Sequence, residues 1–264
     1  MTITDQLNRG IQINQIPKRI VSLVPSQTEL ICDLGLESSI VGITKFCVHP
    51  HHLISNVAVV GGTKQVHFDK IKTLNPDIIL CNKEENTEEM IAELETIAPV
   101  HLSDIYSIED CLELINMYGS LFSVEENAEK IITEIKKKQQ EFHIYIKNQP
   151  QLKTAYFIWK NPWMVAAKNT FINALLSESK FENYFKELER YPEIDLEKDL
   201  DKDVEVIMLS TEPFPFKEEH IKELKLKFPQ AKVVLVDGEM FSWYGSRLIK
   251  VFDYFKRLHL QKLV

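Results

Sequence analysis

The sequence has no G-x-G-x-x-G after an apolar run and no GxxxxGK[ST], which excludes the glycine-built phosphate cradles of dinucleotide- and nucleotide-binding folds. G-x-S-x-G and HExxH are also missing, so neither a serine nucleophile elbow nor a helical zinc pair is encoded. Basic charge is short. There are 31 Lys and Arg against 39 Asp and Glu, a formal net charge of -8, whereas phosphate backbones are bound by clustered cations. The one basic run, KKK at 136–138, sits in a helical pattern and reads as a solvated face. Nucleic acid is therefore not an expected partner. No stretch approaches the ~18 apolar residues of a membrane span, and no membrane insertion is expected. The four cysteines, Cys32, Cys47, Cys81 and Cys111, include no CxxC pair, against a structural zinc site. The opening MTITDQLNRGIQINQIPKR lacks the apolar run of about 7–15 residues found in a secretory leader. By itself this predicts a cytoplasmic chain, or a periplasmic one if a leader has been removed.

What is present is an alternation. In 264 residues, 44% hydrophobic and 27% charged, short apolar runs (RIVSLVP, SIVGIT, VAVVGG, PDIILC, PVHLSD) alternate with helical patterns, as in a mostly parallel sheet covered by helices. Ser26 with Glu29, Ser107 with Asp110 and Ser123 with Glu126 have capping-box spacing, and Gly35 is a helix stop. The segment 123–147 contains neither Gly nor Pro and repeats its apolar residues at helical spacing. It predicts one long helix, a strut. Beyond it the alternation restarts with KTAYFIW, a hairpin partner WMVAA, a helix capped by Asn169 or Thr170, VEVIMLS, KEEHIKELKLKF, KVVLVD and a last helix from Ser246. The expected architecture is α/β: two Rossmann-like lobes with central parallel sheets, residues 1–122 and 148–264, joined by the helix 123–147.

Ligands of open parallel sheets bind outside the carboxyl ends of the strands. In the first half those ends carry Pro25 and Ser26, then Lys45, Phe46, Cys47 and His49, then Gly62, Thr63 and Lys64. In the second half they carry Trp159, Lys160 and Trp163, then Glu212, Phe214 and Phe216, then Glu239, Phe241, Trp243, Tyr244 and Arg247. All three tryptophans fall in such loops, where an indole has a flat surface to cover. Together they predict a cleft for a wide apolar ligand, with Arg247 and the lysines matching anionic edges. No catalytic residue and no protein-held metal are assigned.

RIVSLVPSQTEL, VGGTKQVHFDKIKTLNPDIIL, the long helix and the second α/β half together resemble the class III, helical-backbone substrate-binding proteins of ABC importers, over about residues 18–260. The resemblance implies a non-enzymatic monomer that captures a metal chelate (cobalamin, a ferric siderophore or haem) between two lobes, holds no covalent cofactor, and hands its ligand to an ABC permease. Pro25 matches the family's proline after the first strand, and Trp159, Tyr191 and His49 fall at or near its cleft aromatics. Thr63 stands where corrinoid binders have a tryptophan, and Trp243 stands near their loop arginine, with Arg247 four residues on. By the same resemblance Asp69 and Glu197 are the two acids that dock onto the permease.

Two other readings are encoded. Cys47 and His49 in KFCVHP could be a reactive pair of an intracellular α/β enzyme or small-ligand sensor, since a neighbouring cation lowers a thiol pKa. His49, His51 and His52 with a carboxylate such as Glu239 could hold a bare divalent ion.

Overall fold

The computed structural model describes residues 2–260; Met1 and the last four residues of the second expected lobe lie outside them. The chain forms two compact units. One comprises residues up to Ile105, Glu109–Ile135 and Tyr244–Arg247, the other Tyr106–Ile108, Lys136–Trp243 and the residues from Leu248 onward.

The first unit begins with a hairpin, β1 (Thr2–Thr4) and β2 (Gly10–Gln12). Then follow β3 (Ile20–Ser22), α1 (Pro25–Asp33), β4 (Ile40–Ile43), α2 (Leu53–Asn56), β5 (Ala58–Val59), α3 (Phe68–Thr73), β6 (Ile78–Asn82), α4 (Glu88–Leu94), β7 (Val100–Ser103) and α5 (Ile108–Phe122). The strands make one all-parallel sheet in the order β5-β4-β3-β6-β7. Its central members are buried on both faces, which is why IVS and IILCN read as unbroken apolar runs. The β7 edge is closed by side chains of the N-terminal hairpin, a segment whose sequence carries no strand signal. Asp5 Oδ2 accepts from Leu102 N (3.3 Å), Arg9 donates to the Val100 carbonyl (3.1 Å), and Asp104 N donates to Gln6 Oε1 (3.2 Å). Edge groups that would otherwise template another strand are thus satisfied.

Two of the expected caps are placed differently. Pro25 is the first residue of α1, with Val24 as its cap residue, so Ser26 lies inside the helix and caps nothing. Gly35, at φ +84°, ends that helix as expected: Leu36 N reaches Ile31 O and Gly35 N reaches Cys32 O. Ser123, at φ +55°, plays the same part for α5, through Val124 N to Gly119 O and Ser123 N to Ser120 O. It closes the preceding helix instead of capping the next one.

That next helix, α6 (Glu125–Ile146), runs unbroken for 22 residues, about 33 Å. Its residues through Ile135 belong to the first unit and those from Lys136 to the second. Ala128, Ile131, Ile132, Ile135, Phe142 and Ile146 are buried along it, Lys130, Lys136 and Lys137 are exposed, and Lys138 is half-buried and paired with Asp253 at 2.8 Å.

The second unit contains β8 (Leu152–Trp159), β9 (Met164–Val165), α7 (Phe171–Glu178), β10 (Phe181–Asn183), β11 (Val206–Ser210), α8 (Glu218–Lys227), β12 (Lys232–Val236), α9 (Glu239–Ser242) and α10 (Leu248–Leu258). Its sheet has the parallel order β10-β8-β11-β12, with β9 antiparallel to β8 as the hairpin expectation had it. Thr170, not Asn169, caps α7 by accepting from Asn173 N at 3.1 Å. In each unit the connections leave in opposite directions from two adjacent strands, β3 and β6 in the first and β8 and β11 in the second. The carboxyl ends of those pairs are the crevices where such sheets place ligands.

Candidate functional site

At the first unit's strand ends, Pro25 is buried as the opening residue of α1. Beyond β4 the chain turns tightly, so successive side chains diverge. Phe46 is 48% exposed, with Lys45 Nζ 5.0 Å from its ring centroid. Gly62 lies directly below: a Cβ there would come within 3.3 Å of the Phe46 ring. Thr63 offers its carbonyl to Asn86 Nδ2 at 2.8 Å, and Lys64 Nζ donates to the Glu84 carbonyl at 2.5 Å, linking the loops after β5 and β6. His49 and His51 are neighbours, with ring centroids 5.0 Å apart.

Cys47 turns the other way. Its Sγ is fully buried, 3.1 Å from Thr28 Oγ1 and 3.2 Å from Thr44 Oγ1, and burial pushes the thiol pKa up in spite of those hydrogen bonds. The expectation of an activated Cys47–His49 pair is corrected accordingly, because a nucleophilic cysteine needs access and a lowered pKa. The histidine metal reading is corrected too. His52 Nε2 is engaged with Glu37 at 2.6 Å, and no group of three or more metal-ligating side chains occurs among the described residues.

The loop DGEMFSWYGSRL is the largest departure from expectation. Its first part winds into the short helix α9, so Phe241 is buried against Tyr156 and Phe255, with centroids at 5.0 and 4.9 Å. Trp243 is buried and donates Nε1–H to Glu212 Oε1 at 3.0 Å. Tyr244 is buried in the first unit, where its hydroxyl accepts from Gln27 Nε2 at 2.9 Å; Gln27 also donates to Ser103 Oγ and accepts from the Tyr118 hydroxyl. Arg247 pairs with Glu29 (Nε to Oε2, 2.8 Å), the side chains 4% and 7% exposed. Trp243, Tyr244 and Arg247, expected to face a ligand, are held by internal partners instead. Glu29, expected in a capping box, is the counter-ion of a buried arginine.

One aromatic cluster does sit at the second unit's crevice. Trp159, the last residue of β8, is 39% exposed and meets Phe214 edge-on at 5.4 Å. Phe214 continues to Phe216 (4.7 Å), and Trp163 stacks on Phe216 at 6.0 Å. Trp163 thereby belongs to the core beneath the crevice, and Trp159 with Phe214 forms its accessible lip. Glu212, between β11 and Phe214, is half-buried. Its Oε1 accepts from Ser242 Oγ (2.9 Å) as well as from Trp243, and burial raises its pKa. Glu239 opens α9 nearby, and Tyr191 is half-buried beside Arg190. The lysine next to the lip, Lys160, is bonded to Glu223. Glu212 and Phe214 stood in the strand-end set of the sequence; the hydrogen bonds that aim Glu212 had no sequence signal.

Asp69 lies exposed in the first turn of α3, and Glu197 is exposed with Lys227 Nζ 3.5 Å away.

Residues 20–230, most of the chain, match the periplasmic binding protein family. The chain belongs to that family. An ABC transporter substrate-binding lipoprotein of Bacillus subtilis is 28% identical over 185 residues, covering 67% of this chain and 58% of that protein. A vitamin B12-binding protein of Vibrio cholerae is 25% identical over 199 residues, covering 73% and 70%. Among solved structures, a periplasmic haem-binding protein from Pseudomonas aeruginosa superposes with a TM-score of 0.80 at 21% identity, over 91% of this chain and 92% of that one. This last likeness is one of fold. The family consists of binding proteins, and no helix among the described residues of this member is long and apolar enough to cross a membrane.

Proposed function

We propose that this binding protein is the extracytoplasmic receptor of an ABC-type importer and captures a metal chelate, such as cobalamin, a ferric siderophore or haem, at the carboxyl ends of its strands. One observation carries the reading: the Trp159–Phe214 lip, exposed at the strand crossover of the second unit where a parallel sheet binds its ligand. A partly exposed indole braced edge-on by a second ring is a stacking surface for a flat or rounded apolar body. Phe46 with Lys45 supplies a similar surface in the first unit. The relative named for vitamin B12 lends support. The ligand is held without covalent attachment.

The test is direct. The protein is mixed in parallel with cyanocobalamin, haemin and ferrioxamine B and passed over a sizing column. One of them co-elutes by its visible absorbance. At about 100 times its dissociation constant it stabilises the fold by ~2.7 kcal/mol, a rise in Tm of roughly 5–10 °C for a chain of this size. A chain that retains none of the three and melts unchanged refutes the proposal.

Delivery to a permease falls to Asp69 and Glu197 in this reading. Both are exposed carboxylates, Asp69 in the first turn of α3 and Glu197 beside Lys227. Charge reversal, Asp69→Lys or Glu197→Lys, is expected to leave chelate affinity unchanged and to abolish stimulation of the permease's ATPase in vesicles.

A further inference from the structure

Glu212 has a carboxylate that the fold only half uses. Oε1 accepts both internal hydrogen bonds, from Ser242 Oγ and Trp243 Nε1, while Oε2 accepts none among the described residues. A glutamine would satisfy the same two donors, so the charge and the second oxygen are surplus to folding. They are nonetheless accommodated at a cost. A Cβ on Gly238 would stand 2.4 Å from Glu212 Cγ and 2.5 Å from Ser210 Oγ, so the side chain occupies a slot that only glycine leaves open. Burial disfavours the charge, and Glu239 and Asp237 add to that through their own negative charge. Lys160, the residue after Trp159, is bonded to Glu223. An oriented carboxylate with an unspent oxygen, next to an exposed aromatic lip at a strand crossover, is built to receive a donor from outside.

We infer that Glu212 is a specificity-determining residue whose Oε2 accepts an N–H donor, an amide or an ammonium, from the rim of the bound chelate. The inference rests on the chelate reading above and narrows it. Rims bearing carboxylates meet a like charge here and are rejected, since specificity comes as much from a misplaced charge as from a matched one.

The experiment is calorimetric titration of wild type, Glu212→Gln and Ser242→Ala with cyanocobalamin (primary amides), ferrioxamine B (an ammonium) and haemin (carboxylates). Glutamine keeps a carbonyl oxygen for Ser242 and Trp243 and puts an NH2 donor where Oε2 stood. The donor-bearing probe that binds wild type is expected to lose about tenfold or more in affinity with E212Q, the range of a hydrogen bond to a charged group, and haemin to bind no worse than before. S242A, which removes one donor to Oε1 together with the Ser242 Oγ contact to the Gly238 carbonyl, is expected to lower affinity for the same probe by a smaller factor, and it serves if E212Q fails to fold. Unligated melting curves of all three proteins establish folding. E212Q binding the donor-bearing probe as tightly as wild type, or haemin being the tightest ligand of wild type, overturns the inference while leaving the chelate reading standing. Failure of wild type to bind any of the three overturns the chelate reading itself, and this inference with it.

Discussion

Removal of Glu29 is expected to destabilise the first unit severely. Its carboxylate lies 2.8 Å from Arg247 Nε, with the two side chains 7% and 4% exposed, so neither has water to fall back on. Taking one partner from a buried pair leaves an uncompensated charge, which costs about 3–5 kcal/mol, while replacing both by apolar groups of similar volume is close to neutral. Glu29→Gln keeps the volume and one acceptor and belongs at the lower end, about 3 kcal/mol. Glu29→Ala also opens a gap and belongs at the upper end, about 5 kcal/mol. The double variant Glu29→Leu, Arg247→Met is expected to recover most of the loss, giving a large coupling energy in the cycle. The assay is urea unfolding read by two signals. All three tryptophans belong to the second unit, so their fluorescence follows that unit, while far-ultraviolet circular dichroism follows both. The transition displaced by E29A should appear in the dichroism and be weak in the fluorescence. E29A within about 1 kcal/mol of wild type, or a double variant as damaged as the sum of the singles, would refute the assignment of Arg247 to the fold. An Arg247→Met protein of undiminished stability that no longer binds chelate would restore it to the ligand.

His101 is fully buried with both ring nitrogens unbonded against Tyr118, and desolvation lowers its pKa from 6.5 to about 4. Because the unfolded chain takes up this proton first, stability is complete above pH 6.5 and falls by about 3 kcal/mol as the pH drops to about 4. His101→Leu should flatten that part of the curve in pH-dependent melting. His259, also lowered by burial, acts in the same direction, and Glu212, raised by burial, acts in the opposite one. Thiol labelling of the native protein at neutral pH should be slow at every cysteine: three are buried, and partly exposed Cys32 has its pKa raised by burial to about 12; rapid labelling of Cys47 would revive the enzyme reading. Trp159→Ala should leave the melting midpoint nearly unchanged and weaken chelate binding tenfold or more, as truncation of an aromatic anchor does, and a variant that binds normally would remove the lip from the site.

The alternation of apolar runs with helical patterns was enough to read the α/β class, the long helix and strands β3 to β9, β11 and β12, though not β1, β2 or the short β10, because buried parallel strands and amphipathic helices differ in period and each leaves its own trace. Caps were less legible. Ser-x-x-Glu at 26–29 and at 123–126 has the spacing of a capping box, yet Pro25 starts one helix a residue earlier and Ser123 is drawn into a left-handed turn that ends another. In both cases a neighbouring backbone requirement outweighed a side chain's local hydrogen bond. The N-terminal hairpin left no trace because its role at the β7 edge is discharged by Asp5, Gln6 and Arg9, polar residues that read as solvated until their partners about a hundred positions away are known.

The polarity of the site was the least legible feature, and the reason is general. A sequence displays charges without showing which are already neutralised. Arg247 and Lys160 looked like cations awaiting an anionic ligand, and they are bound to Glu29 and Glu223. Glu212 stood in the strand-end set with no sign of which of its oxygens was engaged, and it is the group whose hydrogen-bonding capacity is left over at the second unit's crevice. The same accounting separates the tryptophans. Trp243 spends its N–H on Glu212 and its ring on the interior, Trp163 spends its ring on Phe216, and Trp159 keeps a face open. What recognises a ligand is the part of each side chain that folding does not consume. On that accounting the second unit offers an aromatic face and an acceptor, which together suit an apolar body edged with N–H donors.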